Sequence, residues 1–236
     1  MLQYQNADAR GFSAAAASVE DRAGFIVRTY LHLVGAVFAF VALEAALFTS
    51  GLAMPILELF FGSPVMLLVV LVGFVAGGMM ARTFARNTQS PLTAYLALAV
   101  YVVLEVIIFL PLLAFAMMYD AAAIPAAGLV TLTLFGGLTG IVFLTRRDFS
   151  FLRSFLAMAT LGAFATVVAA ILFGFSLGVW FSGAMVILAG GWILYDTSKV
   201  LHHYRTDQHV SAALELFASL ALLFYYVLRI FLAARR

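Results

Sequence analysis

The chain contains no cysteine, which excludes disulfides, thiolate metal sites and cysteine nucleophiles together. Charge is nearly as scarce: Asp, Glu, Lys and Arg make up 10% of the 236 residues, where a soluble domain carries about 25%. The net charge of +2 is small and the basic residues sit in separate loops, so no continuous stripe exists for a nucleic acid to bind. Histidine occurs four times, and no Walker, Rossmann or zinc-ligand spacing is present. What fills the chain is apolar: 65% of it is hydrophobic. Its solvent is therefore lipid, and the chain has room for about seven spans of about 20 residues if the loops stay short.

Seven apolar runs of that length follow one another, at about 25–48, 64–83, 92–118, 122–144, 151–173, 179–201 and 210–233. Polar or turn-forming breaks separate them, among them Ser50-Gly51, Arg86 to Pro91, Arg146-Arg147-Asp148 and His202 to His209. Residues 1–23 are small and polar, lack the apolar core of a cleavable signal, and read as a flexible cytoplasmic tail before a transmembrane domain over 24–236. The fold expected is all-α: a polytopic membrane protein of seven transmembrane helices.

Ten of the thirteen basic residues lie in the tail, at the start of the first span or near the even-numbered loops: Arg10, Arg22, Arg28, Arg82, Arg86, Arg146, Arg147, Arg153, Lys199 and Arg205. Basic residues near span ends stay in the cytoplasm, which places that side and the N-terminus there. Arg229, Arg235 and Arg236 follow on the disfavoured side if all seven runs cross. A re-entrant run is the alternative, and the weight of the other ten residues favours seven crossings.

Gly174-Phe175-Ser176-Leu177-Gly178 spells the G-x-S-x-G nucleophile elbow, but it joins two apolar helices where the elbow needs a strand, a turn and a helix. Tyr195-Asp196 has the look of an intramembrane aspartyl protease without a second intramembrane aspartate. No enzyme is expected. His202 and His203 are adjacent, do not share a helix face and have no evident third ligand, so they read as interfacial residues and no metal site is expected. The pairs Gly73/Gly77 and Gly136/Gly140 read as faces for close helix packing.

Acids inside the spans are the informative residues, because a carboxylate in hydrocarbon costs several kcal/mol unless it is neutral, paired or hydrated. Glu44, Glu105, Asp196 and Glu215 are the candidates. Asp196 stands five residues before the end of the sixth run and Glu215 five after the start of the seventh, so both lie about 8 Å in, with Ser219 one turn beyond Glu215 on the same face. Two carboxyls at one depth do not ionise together easily, and the pair has the geometry of a proton switch. The plain structural alternative is that Asp196 bonds a helix end or pairs with Arg82, Arg28 or Lys199.

Thr145-Arg146-Arg147-Asp148-Phe149-Ser150-Phe151-Leu152, Ile193-Leu194-Tyr195-Asp196-Thr197, and Ala212-Ala213-Leu214 with the later Leu228-Arg229-Ile230 resemble the signatures of the Bax inhibitor (transmembrane BAX inhibitor motif) family, over about 28–231. The short tail and the Asp148-Phe149-Ser150 and Thr197-Ser198 sequences are most similar to bacterial members, implying a multi-pass protein of the inner membrane. The resemblance implies a seventh helix held centrally and a pH-sensitive calcium leak, in which aspartates on the sixth and seventh helices share a proton beside a basic residue of the second. Asp196 matches the first aspartate and Arg82 the basic residue, with Arg86 as alternate. The second aspartate falls on Ser219, which holds no charge, and Glu215 one turn away is the substitute within reach.

The expected activity is thus a calcium leak, with calcium as the transported ion and no cofactor, in which deprotonation of Asp196 releases a contact closing the cytoplasmic end. Glu44 and Glu105, with Glu58, would draw cations along the outer half. A firm calcium site needs 6–8 oxygens, which the Asp196 neighbourhood does not supply, whereas a leak needs only a transient one. Ser219 also supports a rival reading, since bacterial relatives with serine there resemble non-transporting proteins that modulate a membrane-anchored AAA protease.

Overall fold

A computed structural model describes residues 13–87 and 90–234. Among these residues eight α-helices follow in order: α1 (Val19–Thr49), α2 (Ala53–Phe61), α3 (Pro64–Asn87), α4 (Pro91–Tyr119), α5 (Ala123–Thr145), α6 (Arg153–Phe173), α7 (Val179–His202) and α8 (His209–Ala234). A single 3-10 turn, Ser150–Leu152, leads into α6, and the described residues contain no named strand. Seven of the helices are long and apolar enough to cross a bilayer, α2 being the exception at 9 residues. The seven expected runs are all present, with ends displaced by a few residues. The short α2, which apolar length does not reveal, fills the first loop.

Local chemistry sets the boundaries. The Ser18 hydroxyl accepts the Asp21 N–H at 3.1 Å, with Glu20 and Asp21 in the first turn, so α1 starts at Val19. The expected tail to residue 23 is therefore too long: 18–23 belong to the helix and its cap, and 1–12 lie outside the described residues. Ser13 bridges Arg205, and the Ala14 N–H donates to the Tyr204 carbonyl at 2.7 Å, fixing this segment to the α7–α8 loop. Pro64 and Pro91 open α3 and α4, where a missing N–H costs nothing. Gly174 ends α6 with φ 71°, a left-handed turn that glycine adopts without a Cβ penalty.

The helices surround α8, which packs against α7, α1, α5, α4 and α3. α6 stands outside, against α7 and α3, so five helices and not six enclose the last one. Burial follows: 61% of the most apolar stretch of α8 is inside the molecule, against 6% of that of α6. Lipid replaces protein over the outer faces, where Phe38, Leu129, Leu144, Trp180 and Ile187 are exposed. Phe40, Phe109 and Phe217 form the aromatic centre, with ring centroids 5.0 Å apart for Phe40–Phe109 and 6.3 Å for Phe40–Phe217.

The last helix is long and apolar enough to cross a bilayer. It is continuous over 26 residues, about 39 Å of rise. Its Arg229 donates to the carbonyl of Leu177, in the α6–α7 loop at the end of the bundle opposite Arg82, Arg146 and Arg205. The glycine expectation holds at one place only. A Cβ on Gly77 would meet Leu104 of α4 at 3.0 Å, while one on Gly73, Gly136 or Gly140 would meet no described neighbour within 4 Å. The position that does bring α3 and α4 together is Gly78, where a Cβ would stand 3.2 Å from the Tyr101 ring.

Candidate functional site

The basic end of the bundle contains a buried charge cluster where α7 meets α8. Asp196 is 3% exposed, and one of its oxygens, Oδ2, accepts the Ser219 hydroxyl at 2.6 Å. Its other oxygen, Oδ1, has no hydrogen-bond partner among the described residues and lies 3.8 Å from the Lys199 ammonium. Lys199 is also 3.9 Å from Glu215 Oε1, so one ammonium stands between the two carboxylates. Arg82 of α3 completes the group, 3.8 Å from Glu215 Oε2.

These residues meet because of their helical spacing. Asp196 and Lys199 are three apart on α7, and Glu215 and Ser219 four apart on α8, so each pair shares a face of its helix. Ser211, one turn before Glu215, donates to the Ala85 carbonyl, and the Gln208 side-chain amide donates to the Arg86 carbonyl at 3.1 Å. Those bonds seat the start of α8 on the end of α3 and bring Arg82 to Glu215. Lys199 is further held between two rings, 5.1 Å from the Tyr195 centroid and 5.2 Å from that of Tyr204.

Asp196, Glu215, Ser219 and Arg82 are thus brought together. Lys199 acts as the centre of the group, a place that its position in the chain does not reveal. Glu105 adjoins them: it stands one turn beyond Tyr101 on α4, and the Tyr101 hydroxyl accepts from the Arg82 guanidinium at 3.0 Å. The spacing of Tyr101 and Glu105, four residues on one helix face, is the signal that points to this link. Polar contacts therefore run from Tyr101 on α4, through Arg82, to Glu215, Lys199, Asp196 and Ser219. Glu44 stands apart on α1, 5% exposed, with both carboxylate oxygens buried and without a hydrogen-bond partner among the described residues. Glu58 is exposed on α2.

Other candidate residues lie away from the cluster. Ser176 is exposed in the α6–α7 loop, while His32, His202, His203 and His209 lie towards the basic end of the bundle. His202 Nδ1 is 3.0 Å from the Ser198 carbonyl, and His203 is 3.5 Å from Asp148. Asp148 ties the α5–α6 loop to α7: its Oδ1 accepts the Ser150 N–H at 2.9 Å and the Ser198 hydroxyl at 3.3 Å. Partial burial pushes this carboxyl up, but the hydrogen bonds from Ser150, the nearby His203 and the Ser198 hydroxyl together hold it below the usual carboxylate range.

Comparison with known proteins agrees with the motifs. The chain is 28% identical over 227 residues to protein lifeguard 4 of Mus musculus, covering 93% of this chain and 89% of that protein. It is 28% identical over 231 residues to the Golgi anti-apoptotic protein of Vaccinia virus (strain Lister), covering 93% of this chain and 90% of the viral one. An uncharacterized protein of Pseudomonas aeruginosa is 31% identical over 111 residues, 47% of this chain and 50% of that protein. The family described as Inhibitor of apoptosis-promoting Bax1 matches residues 22–236, from the first turn of α1 across all seven spans, and the chain belongs to that Bax inhibitor family of multi-pass membrane proteins.

Proposed function

We propose that the protein is a pH-sensitive calcium leak whose gate is the α7–α8 contact at Asp196. The observation that carries this reading is the state of that carboxyl: buried, held by Ser219 on one oxygen, and without a hydrogen bond on the other. A buried carboxylate half satisfied in this way is unstable unless a cation or a proton serves the second oxygen. Lys199 serves it through charge alone, at a separation too long for a hydrogen bond. A proton on Asp196 changes the cluster from two carboxylates balanced by Lys199 and Arg82 to one, and with it the hold of α7 on α8. Glu215 supplies the second carboxyl that Ser219 lacks, and calcium is the transported ion, drawn at the opposite end by Glu44 and Glu58.

In proteoliposomes, Asp196→Asn is expected to flatten the dependence of calcium flux on pH while leaving flux measurable. A profile identical to the wild type removes Asp196 from the gate, and absence of flux from the wild type removes the leak. We place the protein in a bacterial inner membrane with its N-terminus in the cytoplasm, from the basic loops and the partial similarity to the Pseudomonas protein.

Ser219 favours a second reading, a non-transporting modulator of a membrane-anchored AAA protease or of a stress or cell-death pathway, the last in keeping with the name of the viral relative. The test is whether a membrane protease co-purifies with the full chain and is lost when residues 1–12 are removed. Deleting further, through Arg22, would also break the clamp on the α7–α8 loop and confuse the outcome.

A further inference from the structure

A second site lies at the same end of the bundle, away from the charge cluster. The start of α1, the end of α5 and the end of α7 enclose a half-open cavity of about 370 Å³, within the roughly 300–1,000 Å³ of small-ligand sites. Three basic side chains line it, Arg22, Arg146 and His202, each from a different helix end, together with the apolar Ile26, Phe143 and Leu201. No acid is among the lining residues, and neither arginine is paired with a carboxylate among the described residues.

Arg22 is fixed before any ligand arrives. Its Nε donates to the Ala14 carbonyl at 2.6 Å and its Nη2 to the Ala15 carbonyl at 2.7 Å, leaving Nη1 unused. The Ala14 N–H in turn donates to Tyr204, so the wall that carries this guanidinium is anchored to the α7–α8 loop. Arg146 follows the last residue of α5 with φ 51°, the only non-glycine among the described residues in the left-handed region. That backbone turns the chain where the helix ends, and the Arg146 side chain makes no hydrogen bond with the described residues. His202 spends Nδ1 on the Ser198 carbonyl, which leaves Nε2.

Cations at helix C-termini offset the macrodipole, which accounts for Arg146 and His202 singly. It does not account for their convergence with Arg22, at a helix N-terminus where a cation is unfavourable, around one cavity with an apolar wall. Leu144, 86% exposed and two residues before Arg146, puts this cavity at the edge of the lipid-facing surface. We infer that the cavity is a binding site for the phosphate headgroup of an anionic phospholipid, with Arg22, Arg146 and His202 on the phosphate and Ile26, Phe143 and Leu201 beside the glycerol and upper acyl chain. Basic pockets between spans are where such headgroups bind, and the apolar wall is what separates a lipid from a free anion.

The test uses the full chain purified in mild detergent, titrated with phosphatidylglycerol or phosphatidylcholine, with retained lipid counted by native mass spectrometry. Phosphatidylglycerol is expected to be retained at lower concentration than phosphatidylcholine. Arg146→Gln and His202→Gln each weaken its retention, by about fivefold for the lost arginine charge. Arg146→Lys, which keeps the charge, retains it, and Arg147→Gln, in the same loop but outside the cavity, leaves it unchanged. Equal retention of the two lipids overturns the proposal, as does an equal loss in Arg147→Gln. Inorganic phosphate that displaces phosphatidylglycerol at low millimolar concentration would show a free-anion site and overturn it too.

Discussion

Without Lys199, Asp196 and Glu215 would face each other across α7 and α8, with Arg82 beside only the second. Breaking a buried ion pair on one side leaves an uncompensated charge, which costs about 3–5 kcal/mol. Lys199→Met is therefore expected to lower the thermal midpoint of the detergent-purified protein by several degrees. Adding Glu215→Gln removes one of the two stranded carboxylates and is expected to recover part of the loss, which a double-mutant cycle measures. Additive losses would mean that the two residues do not interact. The sequence displays every member of this group as a polar residue in an apolar span, and pairs Asp196 with Glu215 by depth. It leaves Lys199 as one of three possible cations, because a four-carbon stem beginning near a helix end reaches inward or outward according to what packs around it.

At the scale of elements, the α5–α6 loop is held to α7 by Asp148 and Ser198, the Phe149 N–H donating to the Ser198 hydroxyl at 2.9 Å. Asp148 is held below its ordinary value of 3.8, so its stabilising contribution is present in full above that pH and is lost as the pH falls through the lower folded value. With its side chain 44% exposed, this contribution is at most about 1 kcal/mol. Asp148→Asn is expected to lower the thermal midpoint slightly at neutral pH, and the gap from the wild type should close as both are taken well below pH 3.8. A gap independent of pH would assign the effect to packing instead. Such contacts were only partly legible beforehand. The polar loop is evident from Arg146-Arg147-Asp148, but its attachment to a residue 50 positions on is a tertiary fact. The glycines show the same limit: Gly73, Gly77, Gly136 and Gly140 look alike in the sequence, and only Gly77 faces a neighbouring helix.

For the whole molecule, the proposed seven crossings with the basic end in the cytoplasm would put the two termini on opposite sides. Alkaline phosphatase, active only after export, should be inactive when fused before Met1 and active when fused after Arg236. Activity at neither end would mean that the C-terminus stays inside and that one span does not cross. The number of spans was readable from the sequence because a bilayer imposes one local requirement, about 20 apolar residues for each passage, which hydropathy along the chain measures directly. Family membership was readable for a similar reason, since its motifs are short strings in fixed order. The central place of α8 was implied by the family resemblance, although only packing shows that α6 stands outside the ring. The contact of Arg82 with Tyr101, the ammonium between the two carboxylates, and the basic cavity were decided by tertiary structure alone. Spacing along a helix fixes which residues share a face, but which faces meet depends on the packing of several helices at once, and no single segment carries that information.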